Sequence, residues 1–192
     1  MASLNVIKED QGFTLVEVAI VLVIIGLILG AVIKGQALVH NAKVKNVINQ
    51  VDGIRTGVHT FYDRYGQYPG DENLQNIPDG DTAGVGNGDG RIEQGNEERD
   101  LFMDLALSGI ISGDYDGTKL PRHAYGHQVR LLWISPPGGT YNHWFTLSNL
   151  PWDVAMEVDL KLDDGDPETG SVMANEAYEK TSGPIERTYI LF

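Results

Sequence analysis

The chain contains no cysteine, which excludes disulfides, thioether-linked haem and thiolate metal sites. It also lacks the covalent staple that small exported domains often use. Positive charge is scarce beyond the first third. Through Arg64, six Lys and Arg accompany five Asp and Glu; from Tyr65 onward eight accompany twenty-two, and the formal net charge is −13. Such a surface repels the phosphates of nucleic acid, whose binding calls for Lys and Arg, so no nucleic-acid partner is expected. It suits exposure to solvent or to bound cations. Signatures of catalysis are missing as well: there is no H-E-x-x-H, no G-x-S-x-G and no glycine-rich phosphate loop after a strand. His123 and His127 are four apart with His143 downstream, a set that would suit zinc on a helix. Pro121 and Gly126 argue against a helix there. The sequence reads as that of a non-enzyme.

Against these gaps stands one long apolar run. From Phe13 to Ile33 the sequence is FTLVEVAIVLVIIGLILGAVI, and its one strongly polar member is Glu17. A helix of roughly 20 such residues crosses the hydrocarbon core of a bilayer. A secretory signal peptide has a shorter apolar region followed by a small-residue cleavage site. Here the run passes into KGQALVHNAKVKNV, which continues a helical pattern, so the segment is expected to be retained. A plain membrane anchor leaves Glu17 unexplained, because an acid in a span costs roughly 3 kcal/mol unless it is paired.

The residues around that acid, Gly12-Phe13-Thr14-Leu15-Val16-Glu17 followed by the unbroken apolar run, resemble the signature of the type IV prepilin family, comprising type IV pilins and type II secretion pseudopilins. The resemblance implies cleavage after Gly12 by a membrane prepilin peptidase and N-methylation of Phe13. It also implies a role for Glu17, at mature position five, in setting the axial register of a filament against the neighbouring subunit's N-terminal ammonium. The chain's own ammonium at Phe13 would lie one helical turn from Glu17. Two features depart from the family. The leader MASLNVIKEDQG holds Lys8 against Glu9 and Asp10 rather than being basic, and Lys34, Lys43 and Lys45 lie beyond the span. The positive-inside rule therefore gives no support to a cytoplasmic N-terminus, an orientation that rests on the resemblance alone. The mid-helix proline of many pilins is replaced by Lys34, leaving Gly26, Gly30 and Gly35 as the points of close packing or softening.

Four segments follow: a leader over 1–12, a membrane or filament-core helix over 13–33, an amphipathic stalk over 34–65 and a soluble acidic head over 66–192. In the stalk, apolar residues recur at Val44, Val47, Ile48, Val51, Ile54, Val58, Phe61, Tyr62 and Tyr65, the spacing of a one-sided helix that must bury its stripe. One continuous helix from Phe13 to Tyr65 is predicted, ended by Gly66 and Pro69-Gly70. Gly53 and Gly57 predict close contact with a sheet, and His59 is expected to be partly buried beside the stripe. The Tyr65-Gly66-Gln67-Tyr68-Pro69-Gly70-Asp71 stretch resembles one typical of pseudopilins. In the head, a helix is predicted over Glu97 to Ile111, and a hairpin from Val129–Ile134 and Tyr141–Leu147. A second helix would open at Ser148 or Asn149 with Pro151 and bury Val154, Ala155, Val158 and Leu162. Late strands are read at Ser171–Ala174 and Thr188–Phe192. The expected fold is α+β, pilin-like: one long helix on a small antiparallel sheet.

Two acidic loops have the composition of cation sites. In the first, Asn87-Gly-Asp89-Gly-Arg-Ile resembles the middle of an EF-hand calcium loop, with Asp81, Glu93, Glu97 or Glu98 available to complete the shell. The second joins Asp159 to Asp163, Asp164, Asp166 and Glu168; some pseudopilins bind calcium in a C-terminal loop. The alternative is a pair of solvated Asp/Gly turns. Calcium would rigidify a head that has no disulfide.

The family resemblance implies an inner-membrane protein with a periplasmic head, drawn by an assembly platform into a periplasmic or extracellular filament with other pilin-like subunits, and in contact with membrane lipid. Within it a secretion pseudopilin competes with a major or minor pilus subunit serving adhesion, motility or DNA uptake. A membrane-anchored periplasmic binding module is the reading from another class.

Overall fold

The computed structural model describes residues 13–74, 76–81 and 86–192. These form two compact units, one reaching Asn41 and the other running from Ala42 to Phe192. Helix α1 spans Leu15–Tyr65, as the periodicity predicts. In the first unit its side chains are exposed almost throughout, among them Leu22, Leu27, Leu29 and Ile33. It is the one helix among the described residues long and apolar enough to cross a membrane.

In the second unit α1 turns its stripe inward. Val44, Val47, Val51, Ile54, Val58 and Phe61 are buried in one core with Val129, Leu131, Phe145, Leu147, Ile185 and Ile190 of the sheet. Arg55 extends that contact, donating to the Leu191 carbonyl at 2.9 Å while its guanidinium covers the Phe145 ring. Gly66, at φ +78°, ends the helix and donates to the Tyr62 carbonyl. Three stalk expectations need correction. Tyr62 is exposed. Gly53 has open space around it, and Gly57 packs on Ile110, Ile111 and Leu105 rather than on the sheet. His59 is exposed and stacks on Phe192, with ring centroids 4.8 Å apart.

The sheet comprises β1 (Val129–Ile134), β2 (Asn142–Pro151), β3 (Val172–Ala174) and β4 (Pro184–Leu191). Its order is β1-β2-β4-β3, and every pairing is antiparallel. Alternation along β2 sends Phe145 and Leu147 to the main core, while Trp144 joins Met173 and Tyr189 in a smaller apolar cluster. Strand β2 runs further than predicted, through Ser148 and Asn149 to Pro151, because Leu150 pairs with Ile185 of β4. Tertiary pairing thus takes the two residues read as a helix cap. Helix α3 (Trp152–Leu162) follows directly, burying Val154, Ala155 and Val158 but leaving Leu162 exposed. Strand β4 likewise begins at Pro184, not Thr188.

Helix α2 (Glu97–Leu107) stops four residues before the predicted end. Gly109, at φ +70°, donates to the Ala106 carbonyl and Ile110 to the Leu105 carbonyl, the paired bonds of a Schellman turn. Leu101, Phe102 and Leu105 face the main core, as expected.

Candidate functional site

The N-terminal motif is built from three local bonds. Thr14 is the residue before the first helical turn. Its N–H and its hydroxyl both donate to Glu17 Oε2 at 2.8 Å, and the Glu17 N–H donates to Thr14 Oγ1 at 3.2 Å. This reciprocal Thr-x-x-Glu arrangement is a capping box, which satisfies donors that would otherwise be stranded at a helix start. The capping spacing is legible in Thr14-Leu-Val-Glu17, although the family signature points to Glu17 for assembly only. Within one chain, Thr14 supplies the donors that Glu17 accepts. Phe13 is 88 % exposed. Gly12 and the leader lie outside the described residues.

The acidic loops hold their carboxylates in different ways. Among the described residues, no metal-sized group of acids joins Asp89 or Glu93 to Asp81. The stretch after Asn87 wraps N–H groups around an anion instead. Gly88 and Asp89 donate to Asp71 Oδ1 at 2.9 and 3.2 Å, and Gly90 donates to Asp71 Oδ2 at 2.7 Å. Asn87 Oδ1 accepts from the Asp89 N–H and Asp89 Oδ1 from the Arg91 N–H, both within tight Asx turns. Glu97 accepts the Glu93 N–H at 2.7 Å, and Glu98 lies 3.8 Å from Arg130. The loop's glycines therefore create a nest for the Asp71 carboxylate, centred on donors rather than oxygens.

Asp81 belongs to a second group that the sequence did not join. Carboxylate oxygens of Glu72, Asp81 and Asp104 lie within 4.8 Å of one another, and all three residues are buried. Glu72 comes from the segment after α1, Asp81 from the next loop and Asp104 from α2. Gly70, at φ +80°, brings its N–H to Asp104 Oδ2 at 2.6 Å. A Cβ there would sit 2.1 Å from the Glu97 carbonyl oxygen, which explains the glycine. Burial, reinforced by the neighbouring acids, pushes Glu72 up to about 7 and Asp104 up to about 8.

The C-terminal loop brings Asp159, Asp163 and Asp164 within the same mutual distance. Its carboxylates, however, are engaged by the loop's own donors. Asp159 accepts from the Gly165 N–H at 3.0 Å and the Tyr178 hydroxyl at 2.8 Å. Asp163 Oδ2 accepts from the Ser171 and Val172 N–H groups. Asp164 and Asp166 each accept an N–H two residues on. The Asp164 and Asp166 bonds are those of Asx turns.

The histidines do not assemble a zinc site. His123 Nε2 meets the Ser148 carbonyl at 2.9 Å and its Nδ1 accepts the Tyr125 N–H, while His143 Nε2 accepts the Ile92 N–H at 3.1 Å. Burial holds the His143 ring down at about 4.

Residues 7–33 match the prokaryotic N-terminal methylation motif. No curated protein and no solved structure matches the chain.

Proposed function

Because the chain carries the prepilin-type signature of type IV pilins and pseudopilins at its N-terminus, we propose that it is a structural filament subunit of the pseudopilin kind. The motif and the apolar helix fit anchoring in an inner membrane. In this reading the leader is cut after Gly12, Phe13 is methylated, and the head is periplasmic. The observation that carries the proposal is the coincidence of the motif with an α1 whose large apolar side chains through residue 39 are exposed. Such a surface needs lipid before assembly and the helices of other subunits after it.

Glu17 would then exchange its Thr14 donors for a neighbour's ammonium as subunits stack. Glu17→Ala is expected to insert in the membrane normally but to enter filaments poorly, as read by cross-linking and shear-fraction blots. Normal incorporation of that variant would overturn the register role. The absence of cysteine and the Tyr65–Asp71 stretch favour a pseudopilin over a surface pilus subunit. In that stretch Gly66 ends α1, Gly70 reaches Asp104, and Asp71 is held by the next loop. Abundant surface filaments of this subunit on wild-type cells would assign it to the pilins instead. Retention of residues 1–12 in the mature protein, seen by mass spectrometry, would favour a membrane-anchored binding module.

A further inference from the structure

We propose that Glu72, Asp81 and Asp104 form a calcium site that ties the segment after α1 to helix α2, with Asp100 facing the same ion. Three observations converge on it. The oxygens of the first three residues lie within 4.8 Å of one another. Ligand oxygens on opposite sides of a calcium ion, each at about 2.3–2.6 Å from it, are separated by about that distance. All four acids are nearly inaccessible: Glu72 is 3 %, Asp81 5 %, Asp100 8 % and Asp104 2 % exposed.

The third observation comes from Asp100 itself. Its Oδ2 is buried and has no hydrogen-bond partner among the described residues. Its charge is felt by Asp81, Glu72 and Asp104, so this unpartnered carboxylate lies beside the cluster. Arg99 offsets Asp100 in part. A buried polar group without a partner is costly, and a buried anion more so, unless a cation joins it.

The donor set selects the ion. It is all oxygen and carboxylate-rich, with neither nitrogen nor sulfur, which suits a hard cation. Magnesium holds its waters and demands octahedral geometry, whereas calcium accepts irregular carboxylate cages. Part of each carboxylate is already engaged, Asp104 by the Gly70 N–H at 2.6 Å and Glu72 by the Leu74 N–H at 2.9 Å, while Asp100 Oδ2 is not.

The test uses the full chain in detergent. After chelation and dialysis, metal analysis on re-addition of calcium chloride is expected to find one ion per chain. Saturating calcium should raise the melting temperature by about 5–10 °C, with magnesium doing less. Asp81→Asn should weaken calcium binding at least about tenfold in titration calorimetry, while Asp164→Asn should leave it unchanged. If Asp81→Asn fails to fold, the wild type compared with Asp164→Asn still decides the matter. A melting temperature indifferent to calcium and to chelator overturns the proposal. So does calcium binding that Asp164→Asn abolishes.

Discussion

At the scale of single residues, the head is held by polar groups whose partners come from distant parts of the chain. His143 is buried and accepts the Ile92 N–H, which a charged imidazolium cannot do. Rings of Tyr68, Trp133 and Phe192 surround it, and Asp89 is the nearby charge that favours protonation. Burial is the larger effect and sets the folded-state value near 4, below the ordinary value of 6.5. Between those values the unfolded chain binds the proton and the folded chain does not. The His143 contribution is therefore complete above pH 6.5 and is lost as pH falls toward 4. His143→Gln keeps an acceptor for Ile92 without a titrating ring. Denaturant melts at pH 7 and pH 5 should show a smaller acid loss in the variant than in the wild type. Gly70→Ala tests backbone instead of charge. It places a side chain on a positive φ and against the Glu97 carbonyl, so it should destabilise the head by more than about 1 kcal/mol.

At the scale of elements, α1 is one helix with two kinds of surface. Phe61 is fully buried in the head core, and truncating such a ring costs about 3–5 kcal/mol. Phe61→Ala should therefore lower the head's melting point strongly. Leu29 is exposed in the other unit, so Leu29→Ala should leave that melt unchanged and, under the proposed filament role, show its effect in incorporation. A calorimetric scan paired with an incorporation assay separates the two. The helix itself was legible because its apolar periodicity is local and long. The end of α2 and the length of β2 were less so. One depends on a glycine turn at Gly109 and the other on pairing with β4, which the local pattern around Ser148 and Asn149 does not reveal.

At the scale of the whole molecule, the core begins at Val44 and the compact second unit at Ala42. A chain starting at Ala42 should thus melt cooperatively at a temperature close to that of the full chain, as followed by circular dichroism. Loss of the cooperative transition would mean that the preceding residues are needed for the head to fold. The acidity of the head, concentrated from Tyr65 onward, predicts a second whole-molecule property. In the proposed filament, heads brought together would repel one another, so added salt should favour assembly by screening.

The N-terminal methylation motif, the long apolar run, the helical stripe and the α+β class were determined by sequence alone. Each is encoded in contiguous residues, through a short signature, an apolar run or a period of three and four. The tertiary structure decided which acids meet. Asp81 lies close in sequence to Asn87 and Asp89, but the chain folds it against Glu72 and Asp104, and Asp71 takes the donors of the loop that resembled a calcium site. Proximity of carboxylates depends on where loops return to a helix. That is set by packing and by glycines such as Gly70, not by spacing along the chain.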